Sequence, residues 1–273
     1  MRSRPAPYQL SSIPPALALS AAAGVLALAL GLYARHARLS VLDVPLIDSG
    51  ARMFFVLALL AAAGLGWQVH CFYDRRPVGY TPYPPLPTAW ILPSMLLVAA
   101  ALLVARYHTA PVIVMAAVVA ASGTFASLSI REVVAADDGG DNPLLLVHLG
   151  MSVVVAYVVI AALLQYQARL LFTAPAVFIA SALILLQIHD GIPTYPLRRQ
   201  AYALIGAVAA AELAWPLYYW PPAGWWTGAV IGSVLVGYAL VTRASLLKRL
   251  NLIVALQYAG LTVAMFALVV VMS

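Results

Sequence analysis

Charged residues are scarce in this sequence. Lys and Arg total 15 and Asp and Glu total 9, so charge makes up 9% of 273 residues against 64% hydrophobic. A soluble domain carries roughly 25% charged residues, so a water-facing fold of this length is excluded and lipid is the solvent that fits. Cysteine is reduced to Cys71, which rules out an intrachain disulfide and a cysteine metal cluster. The apolar runs hold no lysine, which excludes a retinal Schiff base. No phosphate loop, zinc-metalloprotease motif, hydrolase nucleophile elbow or aspartate-rich prenyltransferase motif occurs. Alternation is missing too: the apolar runs are continuous and rich in Ala and Leu, so membrane β-strands are excluded.

Long apolar runs are what the sequence has. A helix needs about 20 apolar residues to cross a bilayer core of about 30 Å. The runs 13–34, 53–73, 88–105, 111–130, 144–165, 170–188, 201–219, 225–242 and 252–272 meet that need or approach it. The expectation is an all-α, polytopic transmembrane helical bundle of about nine helices, between eight and ten, forming one integral membrane domain with no soluble domain. Arg2 and Arg4 precede the first run as in a secretory signal, but 13–34 exceeds the 7–15 residues of a signal core and reads as a retained helix. Short links at 106–110, 166–169 and 220–224 make antiparallel hairpins of the third and fourth, fifth and sixth, and seventh and eighth helices. The longer links 35–52, 74–87, 131–143 and 189–200 carry turn-forming Pro, Gly and Asp.

The net charge of +6 sits in these links, where it suits lipid headgroups and not nucleic acid. Lys and Arg number ten on the side of the N-terminus and five on the other. That bias predicts a cytoplasmic N-terminus in a bacterial inner (plasma) membrane.

Glu212 is the one carboxylate well inside a predicted span. Placing a comparable acid at a helix centre costs about 3 kcal/mol. Two explanations apply: a proton- or cation-coupling site facing the bundle interior, or a carboxylate bonded to a neighbouring helix or reaching for the interface. His148 begins the fifth run and His70 ends the second; a haem ligand pair and interfacial hydrogen bonds are the alternatives. His189-Asp190, followed by Arg198-Arg199, can line a mouth or form a headgroup-facing loop. Ser122-Gly123 with His148-Leu149-Gly150 resembles the serine and histidine motifs of rhomboid proteases, but Ala120 stands where that motif has Gly. Residues 137–142, DDGGDN, lack the spacing of a calcium-binding loop and read as an acidic turn. Trp215, Tyr218, Tyr219, Trp220, Trp225 and Trp226 surround a Pro-Pro turn and read as interfacial anchors. Gly224, Gly228 and Gly232 recur every four residues and mark a face where a second backbone can approach.

The stretch from Glu212 to Pro221, ELAWPLYYWP, followed by a Gly-rich run and Arg243, resembles the C-terminal part of an uncharacterised family of multi-pass bacterial membrane proteins from Chloroflexota-like lineages. The resemblance implies a bacterial membrane setting and no catalytic residue. The leading expectation is a non-enzymatic structural or accessory subunit, or an assembly factor, of an inner-membrane complex. Its partners are the bilayer and other membrane subunits, with no cofactor, no metal and no catalytic residue. The alternatives are a small secondary transporter using Glu212, and an intramembrane enzyme on a lipid. The last requires polar residues such as His189, Asp190 and Arg198 to converge at one interface.

Overall fold

Among the described residues nine helices form where nine apolar runs were expected. The structure, a computed structural model, describes residues 13–37, 49–74, 88–136, 143–165, 170–190, 192, 194–219 and 224–272. The helices are α1 (Ile13–His36), α2 (Ser49–Asp74), α3 (Ile91–Tyr107), α4 (Ala110–Ala136), α5 (Pro143–Gln165), α6 (Leu170–Ile188), α7 (Pro196–Tyr218), α8 (Gly224–Leu246) and α9 (Leu252–Met272), and no strand occurs among the described residues. Proline punctuates their starts. Pro14 and Pro15, Pro93, Pro111, Pro143 and Pro196 all fall in a first turn, where a missing N–H breaks no intrahelical bond.

Among the described residues seven helices are long and apolar enough to cross a membrane; α3 and α6 are shorter apolar helices. By length and composition these are the helices of a multi-pass membrane protein. Residue pairings fix the alternating direction of the helices. The end of α1 meets the start of α4 at Gly31 and Ile113, and the start of α8 meets the end of α5 at Gly228 and Ala161.

Two rings of four helices result. In the first, α1 to α4 pack in order and α4 closes back on α1; in the second, α5 to α8 do the same and α8 closes on α5. Helix α3 belongs to the first ring and also packs on α5 and α6, so it is covered on every side. An all-round apolar helix with no polar face is suited to that position. Helix α9 packs on α8, where Gly237 receives the side chain of Thr262.

Lipid tails are as apolar as Leu, so helices in a bilayer associate by close packing of small side chains. The sequence supplies stripes of them. Ala23, Ala27 and Ala34 of α1, and Ala203, Ala207, Ala210 and Ala214 of α7, are buried at helical spacing. Of the glycines singled out above, Gly228 makes the close approach, facing the backbone of Ala161. Gly232 keeps ordinary distance from Tyr157, and Gly224 opens α8.

The helices differ from the expected runs mainly at charged ends. α4 continues past 130 to carry Arg131, α7 starts at Pro196 instead of 201 and carries Arg199, and α8 continues past 242 to carry Arg243. Pro196 sits in the first turn of α7 with its φ already set for a helix, which is why the chain is helical before the apolar run begins.

Candidate functional site

Alternating direction brings the starts of α3, α5 and α7 and the ends of α4, α6 and α8 to one face. Each contributes a polar side chain. Asp190, in the turn after α6, is the hub. Its Oδ2 accepts from the Arg131 guanidinium and from the Thr88 hydroxyl, and Arg131 also donates to Thr88 at 3.2 Å. The Arg199 guanidinium lies 3.7 Å from Oδ1 of Asp190. Arg131 spreads over the ring of Tyr73, 5.9 Å from its centroid, and the Tyr73 hydroxyl donates to the Leu128 carbonyl. Four helices are thereby tied through one carboxylate. The turn that carries it is held inward by Ile192 and Thr194, both buried.

His189 and Arg243 extend the cluster to α8. His189 is fully enclosed, with Nε2 2.9 Å from the Thr242 hydroxyl. That hydroxyl donates to the Tyr238 carbonyl, so it accepts from an Nε2–H. The ring also lies against the backbone of Arg199, although Nδ1 meets no partner in hydrogen-bonding geometry. Arg243 donates to the Ile188 carbonyl at 3.0 Å and so caps the C-terminus of α6, where a cation suits the helix dipole.

His148 and Gln187 form a third part. Their Nε2 atoms are 2.8 Å apart, while Nδ1 of His148 and Oε1 of Gln187 have no partner. Turning the amide over changes which atom bears the label but not the count. One bond is made, and one donor and one acceptor are left over.

Burial lowers the pKa of His189 from 6.5 to about 4, the neighbouring Arg243 acts in the same direction, and the contact with the Arg199 backbone opposes them. The ring is therefore neutral at pH 7. The unfolded chain takes up a proton near pH 6.5 and the folded one does not until about pH 4, so stability is complete above the first value and falls towards the second. The expected loss is about 3 kcal/mol. Thermal unfolding of detergent-purified protein between pH 7.5 and 4.5 measures it. His189→Gln is expected to flatten that limb, and an unchanged limb in the variant contradicts the assignment.

Three of the four polar residues singled out in the sequence, His148, His189 and Asp190, meet in this cluster. Glu212 does not. It is exposed on the outer face of α7, with Val208 and Trp215, and not in the bundle interior. Arg198 is exposed as well, and Arg199 takes the inward place. Thr88, Arg131, Gln187 and Thr242 were not singled out, while Arg199 was named only as part of the loop after His189-Asp190 and Arg243 only in the resemblance. For Arg199 a signal existed, because it continues the buried small-residue stripe of α7 by one turn. His70 is half-buried on α2 beside Trp67 and away from His148. Trp215 and Tyr219 are exposed, and Tyr218, Trp225 and Trp226 half-buried. Trp220 and residues 137–142 lie outside the described residues. Among the described residues no group of three His, Cys, Asp or Glu is placed to hold a metal ion.

Beneath the cluster lies a small apolar recess between α5, α6 and α8, with room for about one water, lined by Val153, Ile184, Leu185, Ile188, Gly232 and Val236. A sequence family described as a protein of unknown function, DUF5656, matches residues 38–272. No curated protein and no solved structure matches the chain.

Proposed function

We propose, for a chain that belongs to the DUF5656 family of proteins of unknown function, a non-enzymatic role as a structural or accessory subunit of a complex in the bacterial plasma membrane. The carrying observation is Glu212. It lies on the exposed side of α7, within the membrane-crossing stretch Pro196–Tyr218, where lipid is its neighbour in the isolated chain. A carboxylate at such depth costs up to about 3 kcal/mol when faced by hydrocarbon. A helix of another membrane protein bearing a donor at the same depth removes that cost, so the α7 face is read as a docking face. The outward direction of Glu212 leaves the transporter alternative without an interior coupling carboxylate on α7.

The test is site-specific photo-crosslinking in native membranes from Val208, one turn from Glu212, with Val118 on the exposed side of α4 as the comparison. Val208 is expected to give one discrete adduct of protein mass and Val118 lipid adducts alone. Glu212→Leu is expected to lower the Val208 adduct about ten-fold, the equivalent of 1.4 kcal/mol, while leaving the purified chain at least as stable as before. Lipid adducts alone from both positions would overturn the reading.

A further inference from the structure

We infer that α9 pairs with α9 of a second copy of this chain, along the face turned away from α8, with the Gln257 amides of the two copies hydrogen-bonded to each other. This surface lies on a different helix from the α7 docking face and is independent of it. Among the described residues none in the span Leu252–Val269 is buried, whereas each of the other spans buries at least 28% of its length. The half-buried side of α9, with Tyr258, Thr262 and Met265 at helical spacing, rests on α8, where Thr262 seats on Gly237. Gly260 lies two residues before Thr262, about 200° round the helix, and a Cβ there would meet nothing within 4 Å.

The outward face has the spacing of a helix seam. Ile253, Gln257, Gly260, Ala264, Ala267 and Val271 are all exposed and follow one another in alternating steps of four and three. That repeat keeps one face of a helix against a parallel neighbour along its whole length. Beside it stand Leu256, Val263 and Leu268, bulky and equally exposed. Lipid gives no reason to strip the centre of a face to Gly and Ala while its flanks stay bulky. The exposed side of α4 shows the lipid-facing pattern instead, with Val114, Met115, Val118 and Val119. Elsewhere in the fold a helical glycine marks a seam: Gly31 receives Ile113 and Gly228 receives Ala161. Gly64 and Gly150 are open like Gly260, but α2 and α5 each hold two or more neighbouring helices, and α8 alone packs closely on α9.

Gln257 decides the occupant. It is exposed on this seam, about 8 Å inside the span that opens at Leu252. A side-chain amide carries donors and an acceptor together, so an identical amide complements it without any charged group or change of protonation. Two copies inserted in one membrane share an orientation, and the twofold axis relating them runs along the membrane normal. Residue 257 then meets residue 257 at the same depth, and each amide gives one N–H to the other's carbonyl. One polar position in an otherwise apolar seam fixes register and the number of helices that meet. Gly260 and Ala264, one and two turns further on, let the two backbones come close enough for that bond to form.

The experiment uses the full chain in native membranes, with Cys71→Ser to remove the native thiol and single cysteines placed along α9. Oxidation with copper phenanthroline is expected to give a disulfide-linked band at twice 29.0 kDa from Ala264→Cys and from Ala267→Cys. Ala259→Cys and Phe266→Cys are exposed but off the seam, and are expected to give about ten-fold less, since a seam turns those positions outward. Added to the Ala264→Cys chain, Gln257→Leu is expected to weaken pairing about five-fold, the scale of one hydrogen bond between membrane helices. Gly260→Leu is expected to abolish the band while leaving the unfolding temperature of the detergent-dispersed chain unchanged, because nothing in the chain meets that position. Equal bands at all four cysteine positions, the mark of random collision, would overturn the inference, and so would the lack of a band from Ala264→Cys. A photo-crosslinked protein adduct from position 264 at any mass other than twice 29.0 kDa would overturn it as well, by giving the face to a different membrane protein.

Discussion

Replacing Asp190 by Ala is expected to destabilise the protein by about 3–5 kcal/mol, the largest effect of any single change in the polar cluster. The cost comes from what is left behind. Arg131 and Thr88 both point at Oδ2, and Arg199 faces Oδ1 from a position with almost no contact with solvent. Removing the carboxylate takes the shared acceptor from Arg131 and Thr88 and the counter-charge from the buried Arg199 at once. The pair as a whole is worth far less than that, because both charges have been taken out of water to make it. The double change Asp190→Leu with Arg131→Met is therefore expected to recover the share of the loss owed to Arg131, and not the share owed to Arg199, which still faces the vacated position. Denaturant-induced unfolding in detergent micelles, with the two single variants and the double, gives the coupling directly. Additive losses in the double variant would show that the ion pair is incidental.

Gly228→Ala is expected to cost about 1–3 kcal/mol, the usual range for overpacking a tight contact, whereas Gly232→Ala changes stability by less than about 0.5 kcal/mol. The sequence makes these two residues look equivalent. The structure does not. A Cβ at position 228 would stand 2.4 Å from Cβ, 2.5 Å from Cα and 2.9 Å from N of Ala161. Two of those atoms are backbone and cannot swing aside, so α5 and α8 must part along the seam that closes the second ring. At position 232 the nearest atoms belong to the Tyr157 side chain at 3.8 Å, an ordinary contact. Thermal unfolding of both variants separates the cases, and equal losses would mean that the glycine stripe acts through backbone entropy and not through closeness.

Architecture was legible because hydrocarbon imposes a simple requirement, about 20 apolar residues for each crossing; seven of the nine expected runs meet it among the described residues, and α3 and α6 are shorter apolar helices. The helix ends were less legible. Hydropathy ends a run at its first charge, yet at Arg131, Arg199 and Arg243 the helix goes on and turns that charge inward. The polar cluster was half visible for the same reason. His148, His189 and Asp190 stood out as polar residues at apolar borders, while the arginines beside them passed for headgroup contacts. Thr88 and Thr242 gave no signal, since a hydroxyl becomes a partner only when folding places an acceptor or donor opposite. Glu212 shows the converse. Its depth along α7 could be read from the sequence, but its direction depends on which stripe of α7 packs inward, and that stripe is set by Ala203, Ala207, Ala210 and Ala214.

The Arg131–Asp190 contact also sets an order of events at the ribosome. The two residues are 59 positions apart, so at roughly 5–20 residues per second the arginine enters the membrane seconds before the carboxylate is made. During that interval α4 is inserted and Arg131 has water, headgroups, Thr88 and the Tyr73 ring to turn to. A long cationic side chain held at the bilayer surface meets that wait by keeping its charged tip in the wet layer. The first ring therefore carries a waiting charge until α6 has been translated, and the ion pair between the rings forms only when the turn after α6 emerges.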